Sequence, residues 1–285
     1  MTTFKDLPYL LKLLDDEQPE VRRIITEKLS GYGGDLSNQI AGLGIDLSPA
    51  DQCRLSELLR PERRCALRES WQIPEDGLQG PYADWETFEN LLRLISDYLH
   101  DGVNLRPPLP DALDLLARDV EDSYVAPTED DLRIYLFESG LFQGNSENYY
   151  SIHNSDLTWV LENQIGNPLG LATVFILLGQ RLGLDIQACN YPGHFLALIP
   201  VKGEEYLVDC FNSGRLVNLD QFLHDNEIST EARQAAQYPC PPGLLLKRTL
   251  ANLAHSFARI NREEDEMLAL ELGSMLEGRS LHSRK

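Results

Sequence analysis

The chain has no CxxC pair. Its five cysteines, Cys53, Cys65, Cys189, Cys210 and Cys240, are odd in number and scattered, which argues against a disulfide framework and against a cysteine zinc site. No His, Cys and carboxylate spacing matches a metal centre, and no glycine-rich phosphate loop follows a strand, so neither metal nor cofactor is expected. Basic residues are scarce: 25 Lys and Arg stand against 45 Asp and Glu, a formal charge of −20. Such a surface repels phosphate backbones, which excludes sequence-independent nucleic-acid binding, and it favours solubility and basic partners. Long apolar runs are missing too. The longest, over residues 169–179, falls short of the ~20 residues that a membrane span requires. Residues 1–12 lack the basic and then apolar pattern of a signal peptide. A reducing, cytoplasmic setting without membrane contact is expected.

What remains is an ordinary globular mixture, 42% hydrophobic and 25% charged over 285 residues, enough for one large domain or two modest ones. The expected organisation is a helical N-terminal region over 1–125, a core over 126–237 and a helical tail over 238–285. Residues 7–29 read as two helices around a break, the second opening at Pro19. Residues 13–22 are similar to one unit of a HEAT-type repeat, and a solenoid needs several, so the pair is read as a hairpin. Ser48 and Pro49 open a further helix, and a second run follows Pro61. Arg60, Arg63, Arg64 and Arg68 form a basic cluster, read as paired with the chain's own acids, with an acidic partner as the alternative. Residues 73–82 read as a loop. Helices are expected over 84–99, with Asp84 as cap, and over 112–123.

In the core, Thr128 caps a helix that runs to Gly140, and a turn follows at Gly144-Asn145. A short helix covers 155–162. Gly166-Asn167-Pro168 then opens a helix over 169–182 that is apolar on nearly all sides, the mark of burial. Strands are expected at 185–190, 194–200 and 206–211, with a turn at Gly203-Glu204-Glu205. Alternation puts His194 on the face of Leu196 and Leu198, and sets Asp209 opposite to Cys210. His194 and Asp209 therefore can pair, and Cys210 points away from them. In the tail, 244–260 and 263–276 read as an antiparallel helix pair after the Pro-rich stretch at 239–242.

These residues carry a resemblance. Asn145, Tyr149-Tyr150, Asn154-Ser155, Gly166-Asn167-Pro168, Arg181-Leu182-Gly183, Pro192-Gly193-His194-Phe195 and Asp209-Cys210-Phe211-Asn212 resemble the transglutaminase-like superfamily. Within it they are similar to the bacterial SirB-type branch, which joins such a core to a tetratricopeptide-like tail. The resemblance implies an α+β fold in which a papain-like helix packs on an antiparallel sheet. It also implies a Cys-His-Asp site, with His194 and Asp209 as the His and the Asp. The Cys position falls on or beside Pro168, so the pair is vestigial. Asn154, Asn167, Tyr191 and Asn212 are expected around the cleft. The leading expectation is a non-catalytic protein that binds a protein or peptide through this cleft and its helical flanks, in an oligomeric state the sequence leaves open. The alternative is an amide-bond hydrolase or peptidase that uses a relocated nucleophile, Cys189, or the His/Asp pair as a general base.

Overall fold

The structure, a computed structural model, describes residues 4–74, 85–225, 227–238 and 240–276. The expected Asp84 cap, most of the loop at 73–82 and the chain end beyond 276 lie outside the described residues. Contacts divide the chain into two units, Met1–Gln72 with Asp97–Pro107, and Ile73–Ser96 with Pro108–Lys285.

The first unit is helical: α1 (Leu7–Leu11), α2 (Pro19–Ser30), α3 (Ser37–Leu43) and α4 (Pro49–Ser70). Leu7, Leu11, Leu29, Leu36, Ile40, Leu55 and Leu59 close its core. Two points depart from the sequence reading. The short α3 was not foreseen, because only Leu36, Ile40 and Leu43 mark its face. Helix α4 is continuous through Pro61: a proline forfeits one backbone hydrogen bond, and the packing of Leu55, Leu59 and Leu67 on one buried stripe holds the helix across that gap. Of the arginine cluster, Arg60 pairs with Glu57. Arg63 is buried and donates to the carbonyls of Tyr98, Asp101, Gly34 and Ser56. Burial pulls its pKa down to about 10, still charged at neutral pH.

The second unit holds α5 (Trp85–Leu99) as far as Ser96, α6 (Leu109–Ser123) and α7 (Glu129–Arg133), which runs directly into a π-helical turn at Ile134–Glu138. Thr128 and Asp131 form a reciprocal capping box at the start of α7. Next come β1 (Gln143–Gly144), α8 (Leu157–Asn163), β2 (Ile165–Gly166) and α9 (Pro168–Leu182). The expected turn at Gly144-Asn145 is instead the end of β1, which pairs in parallel with β2. Every residue of α9 from Pro168 to Gly179 is buried, as its all-round apolar surface requires. Asn167 caps it by accepting the Gly170 N–H at 2.8 Å, and Gly183 ends it in the left-handed conformation at φ 69°.

The main sheet is antiparallel, ordered β3 (Gln187–Cys189), β4 (Leu196–Val201), β5 (Glu204–Asp209), β6 (Arg215–Asn218). Helices α10 (Leu219–His224) and α11 (Thr230–Gln237) follow, and α12 (Pro242–Arg259) and α13 (Glu263–Met275) form the expected terminal pair. The β4–β5 hairpin turns at Lys202-Gly203, both at positive φ, as a two-residue hairpin turn demands. The turn thus lies ahead of the expected Gly203-Glu204-Glu205. His194 lies in a turn before β4, not on the strand. The result is α+β, with α9 against the sheet.

Candidate functional site

The site is assembled at the start of α9. Gly193, at φ 73°, turns the chain into His194, whose N–H donates to the Tyr191 carbonyl at 3.2 Å. Leu196 and Val208 lie near the hairpin's open end, with Ala197 opposite Val208. This brings the residue two places before Leu196 to the side chain that ends β5. His194 Nε2 and Asp209 Oδ1 are 2.8 Å apart. The pairing is the one expected, but strand alternation does not produce it. His194 reaches Asp209 from a turn, while Leu196 and Leu198, expected on the same face as His194, pack with Cys189 in a separate apolar cluster.

Asp209 is buried and fully engaged. Its Oδ2 accepts from the Asn212 amide at 2.7 Å, and its Oδ1 accepts the Asn212 N–H at 3.2 Å. Burial alone would raise this carboxyl, but the hydrogen bonds from His194 and Asn212 outweigh it and hold the pKa below the ordinary carboxylate value. An ionised Asp209 fixes the tautomer in which His194 Nε2 carries the proton. The lone pair is then left on Nδ1, which no described residue engages. That is the division of labour in a His/Asp base pair.

Beside His194 lies a cavity of about 260 Å³. Its floor is Asn167, Pro168 and Leu169 at the start of α9, one wall is Gly193, His194 and Phe195, and another is Tyr149 and Tyr150. The remaining wall comes from α12, through Arg248, Asn252, His255 and Ser256. No cysteine lines it.

Of the cleft residues expected from sequence, Asn167 lines the cavity and the others do not. Asn154 is buried behind it. Its amide donates to the carbonyls of Asn148 and Tyr149 and its oxygen accepts from Asn145, so it holds the loop that presents the two tyrosines. Asn212 lies beyond Asp209 and positions that carboxylate. Tyr191 turns its ring to Phe222, 6.0 Å between centroids, and packs with the apolar cluster on the far side of the sheet. Cys189 belongs to that same cluster, is 2% exposed, and its thiol donates to the Ala235 carbonyl at 3.4 Å. Burial pushes its pKa up to about 11, which is opposite to what a nucleophile needs. Cys210 is fully buried with its pKa raised well above the ordinary thiol value.

The α12 wall had no counterpart in the sequence reading. Arg248 ties it to the site: its guanidinium donates to the carbonyls of Tyr191 (3.1 Å) and His194 (2.9 Å) and to the Asn190 side chain, and lies over the Phe195 ring. A polar residue at every turn of α12, at positions 248, 252 and 255–256, inside an otherwise leucine-rich helix, was the available signal.

Among the described residues no helix is long and apolar enough to cross a membrane. A family model for the transglutaminase-like superfamily matches residues 109–251, half of the chain. The chain is 35% identical over 135 residues to a UPF0162 protein of Xylella fastidiosa, covering 45% of this chain and 48% of that one. It is 32% identical over 124 residues to a UPF0162 protein of Pseudomonas aeruginosa, covering 41% and 45%. A weaker similarity, 25% over 130 residues, joins it to the human F-box only protein 21, covering 44% and 20%. The chain thus spans about half the length of the UPF0162 relatives that it matches. No solved structure matches it. The matched region runs from α6 through the His194–Asp209 pair into the start of α12, and the chain belongs to the transglutaminase-like superfamily.

Proposed function

We propose that the cavity at the start of α9 is the ligand site of a transglutaminase-like protein that lacks the thiol step, and that it binds a segment of a protein or a peptide. The observation that carries this reading is the composition of the cavity: Pro168 and Leu169 stand at the helix start beside His194, and no cysteine is among the lining residues. Thiol chemistry needs a thiolate against the imidazole, and the three buried thiols lie elsewhere. Gly170 offers no room for a substitute: a Cβ there would stand 2.8 Å from the Asn154 carbonyl oxygen.

The finer placement belongs to the same proposal: a SirB-type protein whose α12–α13 pair is a single tetratricopeptide-like unit folded over the cleft. The charge of −20 supports a partner other than nucleic acid, and five unpaired cysteines support a cytoplasmic setting. The test is a fluorescent random-peptide pool titrated with the protein and with the cavity-filling Asn252→Trp variant. Saturable binding that Asn252→Trp and His194→Ala both lose, at unchanged melting temperature, is the expected result. Equal binding by all three proteins would overturn the reading.

One observation favours a second reading. Asp209 is held ionised and His194 Nδ1 is unengaged, which is the equipment of a general base that activates water. Under that reading His194→Ala abolishes slow hydrolysis of peptide amides, while binding survives.

A further inference from the structure

The cavity is charged against the grain of the molecule. The chain has 45 acidic residues, and none of the described ones lines it; the Asp209 carboxylate is turned to Nε2 of His194. What lines it instead is the Arg248 guanidinium, the imidazoles of His194 and His255, and the start of α9. That helix is 15 residues long, so its first turn carries the positive end of a full dipole. Pro168 has no N–H, and Asn167 takes that of Gly170. The Leu169 N–H between them meets no acceptor among the described residues.

Helix α12 adds groups that await a partner. Arg248, Asn252, His255 and Ser256 follow the spacing of a single helix face. Ser256 is 6% exposed and lines the cavity, and its hydroxyl has no hydrogen-bond partner among the described residues. Thr249, one face away, shows the usual alternative, donating back to the Leu245 carbonyl at 3.1 Å; Ser256 does not do this. The Asn252 amide, half-buried on the same wall, is likewise unengaged. Buried polar groups are normally satisfied, so the buried Ser256 hydroxyl, with the half-buried Asn252 amide on the same wall, points to a ligand with both donors and acceptors. At about 260 Å³ the space is below the ~300–1,000 Å³ of drug-sized sites, and suits the end of a chain rather than its middle.

Resting on the peptide-binding reading above, we propose that this cavity captures the C-terminal carboxylate of a peptide. The carboxylate sits between the Leu169 N–H and the Arg248 guanidinium, and the last peptide unit pairs with Asn252 and Ser256. Arg248 gives three hydrogen bonds to Asn190, Tyr191 and His194 and keeps N–H donors to spare. One permanent cation and one helix amide match a monoanion; a phosphate dianion would find no second permanent cation among the lining residues.

Two pools of N-terminally labelled random tetrapeptides test this, one with free C-terminal carboxylates and one amidated, with binding read by anisotropy. The free-acid pool binds, and amidation weakens binding about tenfold or more, the loss of a hydrogen-bonded charge. Ser256→Val weakens the free-acid pool, and Asn252→Leu, at a less buried position, repeats the test should the first variant fold poorly. If both pools bind alike and both are lost in Asn252→Trp, the carboxylate proposal fails while the peptide-binding reading stands. If neither pool binds above the Asn252→Trp background, both fail. Inorganic phosphate displacing the free-acid pool more strongly than acetate also overturns the proposal.

Discussion

Position 168 carries a proline that lines the cavity with His194, on or beside the place where the proposed reading puts the missing thiol. Pro168→Cys would return a thiol to the start of α9, beside His194, where helix dipole and imidazole both lower its pKa below the usual ~8.5. The expected outcome is alkylation by iodoacetamide at pH 7 faster than that of Cys53 or Cys65, and the advantage disappears in a His194→Ala background. Asp209 makes a second prediction. Its folded-state pKa is depressed, so the stability it contributes is fully present above the unfolded value of ~3.9 and is lost as pH falls through the folded value. Asp209→Asn should lower the melting temperature at neutral pH and flatten the part of the acid-unfolding curve below about pH 4. A curve parallel to the wild type would show that the carboxylate is not so engaged. The pairing of His194 with Asp209 was legible from their places at the open end of one hairpin, whereas the strand alternation expected for His194 was not realised, because His194 lies in the turn before β4. Asn154 and Tyr191 were misplaced for the converse reason: their side chains answer to a loop carbonyl and to Phe222, and no local pattern encodes either.

The elements were easiest to read where one periodic pattern decided them. Helix α9 announced its burial by being apolar all round, and its start and stop by Asn167-Pro168 and Gly183. Its anchoring was not legible. Arg181 near its end makes paired hydrogen bonds to Glu89 on α5, at 2.6 and 2.7 Å, and one to Asp114 on α6 at 2.7 Å. These contacts join residues 67 and 92 apart in sequence. Arg181→Ala strands the half-buried Glu89 carboxylate and should cost about 1–3 kcal/mol, read by urea unfolding. At the other end of α9, Gly170→Ser drives a side chain against the Asn154 carbonyl, a backbone atom that cannot rotate away. It should destabilise by about 1–3 kcal/mol and loosen the Tyr149-Tyr150 loop. The role of α12 as a wall of the cavity was hidden for the same physical reason. Its leucines give a clear helix, but which helix face meets which turn depends on contacts over more than fifty residues, such as Arg248 to His194.

Across the whole molecule the cysteines fall into two kinds. Cys53 and Cys65 are exposed, whereas Cys189, Cys210 and Cys240 are buried, and burial raises the Cys189 and Cys240 thiols to about 11 and about 12. Alkylation of the native protein at pH 7 should modify the first two and spare the other three until denaturant is added. Rapid modification of Cys189 would revive it as a nucleophile. The central claim is that the cleft holds a peptide without attacking it. Mass spectrometry of the protein after incubation with a random-peptide pool, under native and then denaturing conditions, tests this directly. The account predicts a complex of unmodified protein with intact peptides that falls apart on denaturation. A covalent acyl adduct surviving denaturation, or peptides shortened in a His194-dependent way, would contradict it.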